Sequence, residues 1–165
     1  MIVFGIVGLK NSGKTFIIQK LIKHFVKNKY KVASIKHAHH NFDIDKPNTD
    51  SFLHRKAGSL EVVISSSNRL AKIIEVNNSK EKKLDELIKD LNPTDIVVVE
   101  GYKKELHSKI EIIKDFSNPS NYLFPSLKNV VGLISEKKIN TDIRQFKKHD
   151  IELIANYILK IKPYE

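Results

Sequence analysis

The chain has 165 residues, 41% of them hydrophobic, which suits a single domain with a real core spanning 1–165. It contains no cysteine, which excludes disulfides, thiolate zinc sites and cysteine nucleophiles and fits a cytoplasmic address. Lysine and arginine total 29 against 19 acidic residues, but only Arg55, Arg69 and Arg144 are arginines and the lysines are scattered, so a solvated surface is favoured and no nucleic-acid partner is expected.

The chain begins with an apolar run, Ile2 to Val7, that reads as a buried strand. It leads directly into Gly8-Leu9-Lys10-Asn11-Ser12-Gly13-Lys14-Thr15, a full match to the Walker A phosphate-binding pattern, so no cleavable signal peptide is expected. Small residues let successive backbone N–H groups converge on phosphate oxygens. Gly8, Asn11, Ser12, Gly13, Lys14 and Thr15 are therefore the candidate nucleotide-binding residues, with Lys14 between the β- and γ-phosphates and the Thr15 hydroxyl on Mg²⁺. A strand before and a helix after are the surroundings this loop needs. The helix follows, with Phe16, Ile17, Ile18, Leu21, Ile22 and Phe25 expected on its buried side.

Lys31 to Lys36 reads as a second strand, opening into a polar segment from His37 to Asp50. A short helix is predicted from about Thr49 to Ala57, ended by Gly58. Glu61 to Ser65 and Leu70 to Val76 form a predicted hairpin around Ser66-Ser67-Asn68-Arg69. Asn78 or Ser79 is expected to cap a helix running through Leu91, stopped by Asn92-Pro93. Thr94 to Val99 is β-branched in the manner of a strand buried on both faces. Lys109 to Lys114 and Val130 to Ser135 are further strands, and Asp150 is expected to cap a last helix carrying Ile151, Ile154, Tyr157, Ile158 and Ile161. Residues 115–129 have no readable organisation. The order predicts an α/β domain with a mainly parallel sheet and an inserted β-hairpin, a three-layer P-loop NTPase fold. No apolar run approaches the ~20 residues of a membrane span.

Ligands of parallel sheets bind beyond the carboxyl ends of strands, which selects Glu100 over Asp95 as the acid facing the phosphate loop. Glutamate there can contact Mg²⁺ through water or align an attacking water, so Lys14 and Glu100 are the candidate catalytic pair. The segment Lys36 to Asp45, with His37, His39 and His40, could ligate a transition metal, form a nucleotide switch with Asp43 or Asp45 near Mg²⁺, or be an exposed polar loop.

Together these segments resemble the molybdopterin-guanine dinucleotide biosynthesis adaptor proteins, the MobB family. The resemblance covers most of the first ~115 residues, through the phosphate loop, Lys36 to His40, Asp45, Pro47 to Asp50, His54-Arg55-Lys56-Ala57-Gly58, Val99 to Lys103 and Lys109-Ile110-Glu111. It implies a dimeric GTP-binding protein with slow GTPase activity, assisting a guanylyltransferase partner that attaches GMP to molybdopterin. On this resemblance Asp45 and Glu100 join Thr15 near Mg²⁺, while Lys36, His37, His40 and Asp50 belong to a mobile segment facing nucleotide or pterin. Asn41 and Asn48 replace expected glycines, Ala38 an expected acid, and Ser135-Glu136 a Thr-Asp-like pair expected to read the base. No Asn-Lys-x-Asp motif selects guanine.

Two other classes fit parts of the chain. A metal-insertion GTPase would use the His37 to His40 cluster, and a nucleic-acid module would use the lysines. The histidines favour the first only if they bind metal without nucleotide, and the second predicts binding that weakens steeply with salt.

Overall fold

Six parallel strands form the main sheet of the computed structural model, which describes residues 1–38, 42–76 and 81–164. They are β1 (Ile2–Gly8), β2 (Val32–Lys36), β5 (Ile96–Glu100), β6 (Ser108–Ile113), β7 (Val130–Ser135) and β8 (Arg144–Phe146), in the order β2-β5-β1-β6-β7-β8. The strand order sets β1 between β5 and β6, with Ile6 opposite Glu100 on one side and Val7 opposite Glu111 on the other. Strand β5 is buried through Val99 because both faces of the sheet are covered, the reason its sequence is continuously apolar rather than alternating.

Phe4, Ile6, Val98 and Ile110 face α1 (Lys14–Lys27) and α4 (Ile151–Ile158) in one core. Val3, Val97 and Val99 face α3 (Leu84–Lys89) in another. Alternate residues thus supply opposite faces, completing the expected three-layer α/β arrangement. A third cluster, Ile113, Leu133 and Ile139, packs with Phe116, Tyr122 and Phe124.

The chain divides into two compact units, one of residues 1–37 with 84–165 and one of residues 38–83. The second unit contains α2 (Asp50–Lys56) and the expected hairpin, β3 (Glu61–Ser65) with β4 (Leu70–Ile74), antiparallel and closed by Ser66 N–H to the Arg69 carbonyl at 2.9 Å. Gly58 ends the helical region at φ +103°, a conformation open to glycine without steric cost.

Several expectations are corrected. Phe16 is 46% exposed, because at 3.6 residues per turn it falls about 100° back from Ile17, away from the buried stripe. The third helix begins at Leu84; its expected caps, Asn78 and Ser79, lie outside the described residues, and Glu81 to Lys83 are not helical. Those charged residues offer no apolar face, and a helical turn without packing is costly to nucleate. Helix α4 stops at Ile158, short of Ile161, and β8 was not expected at all. The segment 115–129 contains one 3₁₀ turn, Pro119–Asn121, begun by Asn118, whose side chain accepts from Ser120 N–H.

Candidate functional site

The phosphate loop leaves the carboxyl end of β1 with backbone angles that its sequence was chosen to allow. A Cβ on Gly8 would lie 2.7 Å from the Ile112 carbonyl and 2.7 Å from Ser12 Oγ, so the loop can press against β6 only with glycine there. Asn11 at φ 61° and Gly13 at φ 98° are both left-handed, and Gly13 immediately precedes α1. Asparagine tolerates that region better than most residues.

Lys10, Asn11, Gly13, Lys14, Thr15 and Glu100 line one open cavity of about 470 Å³. Lys14 folds back along the loop, donating from Nζ to the carbonyls of Leu9 at 2.7 Å and Gly8 at 3.2 Å. Partial burial holds its pKa below the ordinary lysine value, assisted by the charges of Lys103 and Lys36 and opposed by Glu100. An anion in the cavity would reverse that balance, since a nearby negative charge favours the ammonium form.

Glu100 closes the opposite wall from the end of β5. Its neighbours come from the adjoining strand: Lys36 Nζ lies 3.9 Å from Glu100 Oε1, and His37 N–H donates to the Glu100 carbonyl at 2.8 Å. The next turn is tight, because a Cβ on Gly101, at φ +97°, would lie 2.5 Å from His37 Cβ. Tyr102 follows at φ 46°, its ring stacked on His37 with centroids 4.7 Å apart. Two successive left-handed residues, one of them bulky, mark this as a locally strained turn beside the cavity.

The other expected residues lie in the second unit. Asp50 is the first residue of α2. Asp45 is engaged by Arg55, whose Nη2 and Nε approach its carboxylate at 2.6 and 3.1 Å. The same guanidinium reaches Asp43 at 2.8 Å and Glu75 at 2.6 Å, tying the segment before α2 to the end of the hairpin. These hydrogen bonds, with Arg55's charge, keep Asp45 below the usual carboxylate range. His40 and His39 lie outside the described residues, and among the described residues no group of three His, Cys, Asp or Glu could hold a metal ion.

Sequence reasoning assigned no role to three buried polar residues of the 107–111 segment. Lys109 donates to the carbonyls of Glu105, His107 at 2.8 Å and Lys128 at 3.2 Å, and burial draws its pKa down to about 8. Glu111 accepts from the backbone N–H groups of Leu123 at 2.8 Å and Phe124 at 2.7 Å. Charged residues at every second position of an otherwise apolar strand were the available signal. His107 is buried with neither ring nitrogen hydrogen-bonded among the described residues, and its sequence context carried no signal. Lys148 was also unassigned; its Nζ sits 4.8 Å from the centre of the Phe16 ring.

The family model for "Molybdopterin guanine dinucleotide synthesis protein B", MobB, matches residues 3–136. The molybdopterin-guanine dinucleotide biosynthesis adapter protein of Escherichia coli is 30% identical over 151 residues, 90% of this chain and 86% of that protein. Its Haemophilus influenzae counterpart is 40% identical over 108 residues, 64% of this chain and 60% of that protein. A crystal structure of molybdopterin-guanine biosynthesis protein B superposes with a TM-score of 0.77 at 25% identity, covering 95% of this chain and 97% of that one. The Bacillus stearothermophilus MobB homologue shares the fold, with a TM-score of 0.74 at 21% identity over 98% of this chain and 100% of that one. With a parallel α/β sheet carrying the phosphate loop and a family match over most of its length, the chain belongs to the MobB family.

Proposed function

We propose that the protein is a GTP-binding accessory factor with slow GTPase activity in molybdenum cofactor biosynthesis, assisting a guanylyltransferase that forms molybdopterin guanine dinucleotide. The observation that carries this reading is the cavity shared by the phosphate loop and Glu100. Gly8, Asn11, Ser12, Gly13, Lys14 and Thr15 hold the phosphates, and Lys14 exchanges its loop carbonyls for β- and γ-phosphate oxygens. Thr15 and Glu100 fit a Mg²⁺ ion that keeps several of its waters, because both are oxygen donors on the same cavity. The metal would neutralise charge on the phosphates, while Glu100 orients water.

Asp45 is the third metal residue in this reading, and its carboxylate would exchange Arg55 for the ion; Lys36, His37, His40 and Asp50 are the residues facing nucleotide or pterin. Slow turnover follows from chemistry: no arginine stands in the phosphate loop, and P-loop GTPases without an arginine finger turn over at about 10⁻⁴ s⁻¹. Guanine selection is assigned to Glu136, just beyond β7, which lines a cavity with Phe16, Lys20 and Lys148. Its carboxylate can accept from the ring N–H and amino group of guanine, and adenine lacks that donor pair.

A homodimer is supported by the second unit, whose Leu60, Val63, Ile64, Leu70 and Ile74 are all at least 46% exposed, leaving the hairpin with apolar area to cover. The protein acts in the cytoplasm in this reading, and no described helix is long and apolar enough to cross a membrane.

Calorimetric titration with GTP, ATP and GDP, with and without Mg²⁺, tests the function. Mg²⁺-dependent GTP binding that weakens at least about tenfold in Lys14→Ala supports it; equal affinities for ATP and GTP remove guanine from it, and turnover at tens per second without a partner refutes the adaptor role.

A further inference from the structure

On the β6 side of the phosphate loop, a cavity of about 320 Å³ is walled by Leu9 to Ser12, by Glu111 to Asp115 at the end of β6, and by Asn121 and Tyr122. Its buried carboxylate is committed elsewhere, because Glu111 holds the backbone N–H groups of Leu123 and Phe124. The α1 side is different. There Phe16, Lys20, Glu136, Lys148, His149 and Ile151 line a cavity of about 460 Å³. Among the described residues no carboxylate lies within ion-pairing distance of the Lys148 ammonium.

Lys148 stands between β8 and α4, far from the phosphate loop in sequence. Its side chain nevertheless reaches the loop: a Cβ built on Gly13 would lie 3.5 Å from Lys148 Nζ. The same Nζ sits 4.8 Å from the centre of the Phe16 ring, and Lys20 Nζ lies 5.6 Å from that centre. Two cations thus share one half-exposed ring. An exposed cation–π contact is weaker than a charge-assisted hydrogen bond to phosphate, so an anion arriving here would draw the ammonium off the ring. The Lys148 backbone can stay in place, its N–H donating to Glu136 Oε1 at 3.4 Å, while the flexible four-carbon stem moves.

We propose that Lys148 is a nucleotide-binding residue whose ammonium donates to the α-phosphate. On the nucleotide reading given above, which this assignment deepens, the γ-phosphate end lies by Lys14 and Glu100 and the base lies by Glu136. Base, ribose and the α-, β- and γ-phosphates follow one another along a single chain. Lys148 is tied to Glu136 through its backbone and reaches Gly13 through its side chain, so its ammonium stands between the two ends, where the phosphate nearest the ribose falls. It does not line the cavity shared by Lys14, Thr15 and Glu100, which separates it from the γ end.

The test is calorimetric titration of the full chain and its variants with GTP and GDP in Mg²⁺, beside thermal melting without nucleotide. Lys148→Ala should weaken GTP and GDP by the same factor, at least about tenfold, the loss of one charge-assisted contact. Its melting temperature should be unchanged, because the side chain is exposed. Lys148→Arg keeps the charge and should return affinity to within about threefold of wild type. Lys23→Ala removes the same charge from an exposed position farther along α1 and should change affinity less than about twofold, since solvent screens a charge without a contact. One diastereomer of guanosine 5′-O-(1-thiotriphosphate), with sulfur for an α-phosphate oxygen, should bind wild type more weakly than GTP, and the difference should vanish in Lys148→Ala.

Full affinity in Lys148→Ala, or an equal loss in Lys23→Ala, overturns the proposal. A loss confined to GTP, a missing sulfur effect in wild type, or a sulfur effect that survives in Lys148→Ala overturns the α-phosphate assignment. Wild type without nucleotide binding that depends on Lys14 sinks the nucleotide reading and this proposal with it, whereas Lys14-dependent binding that ignores Lys148 sinks this proposal alone.

Discussion

Arg55 holds Asp45 in a two-pronged grip, Nη2 and Nε at 2.6 and 3.1 Å from its two carboxylate oxygens. This geometry gives directional strength that a lysine cannot reproduce. The Asp45 side chain is only 5% exposed, so its charge is satisfied by that partner rather than by water. Removing the grip is therefore expected to alter the acid as well as the local fold. In Arg55→Ala the Asp45 carboxyl should rise towards the ordinary value of about 3.9, read by carboxyl NMR titration. The sign is fixed by linkage: a depressed folded pKa contributes stability above about pH 4 that is lost as pH falls through the lower folded value. Wild type should lose that increment in acid, and the variant should not have it at any pH.

His107 provides a second pH dependence, at the amino end of β6. Burial, with a smaller contribution from the charge of Lys109, draws its pKa down to about 4. The unfolded chain binds the proton near pH 6.5, so between pH 6.5 and 4 acidification favours unfolding. The slope should approach about 1.4 kcal/mol per pH unit within that window. His107→Leu removes both the titration and two unsatisfied nitrogens, so it should raise the melting temperature more at pH 5 than at pH 7.5, as calorimetry would record.

Gly5 is smaller than the strand pattern requires for a reason that His107 supplies. A Cβ at Gly5 would collide with the imidazole Nε2 and come within 2.9 Å of Cδ2. Overpacking of this kind costs about 1–3 kcal/mol. Gly5→Ala should fall in that range by urea denaturation, and combining it with His107→Ala should restore part of the loss through a non-additive coupling.

Lys14→Ala should weaken nucleotide binding by roughly tenfold to a hundredfold, the loss of one charge-assisted contact of about 1.5–3 kcal/mol. Its melting temperature without nucleotide should change little, because among the described residues the lysine donates to the loop carbonyls of Gly8 and Leu9. A variant that melts far lower would mean that those carbonyl contacts brace the loop.

The strands and the phosphate loop were legible because their signals are local. Ile2 to Val7 and Val130 to Ser135 are uninterrupted apolar runs, and the loop pattern lies between a strand and an amphipathic helix. The carboxyl-end rule points to Glu100 rather than Asp95, and Glu100 lines the same cavity as Lys14 and Thr15. What could not be read depends on partners distant in sequence. Arg55 meets Asp43, Asp45 and Glu75 only once the hairpin returns beside α2, and Glu111 meets Leu123 and Phe124 only when the 3₁₀ turn folds over the sheet. Strand β8 was missed because Arg144 to Phe146 is too short to show alternation and is recruited by its pairing with β7.

The placement of Lys10 and Asn11 on the walls of two cavities makes the phosphate loop a partition. A substitution at Lys10 or Asn11 therefore alters the walls of both spaces at once.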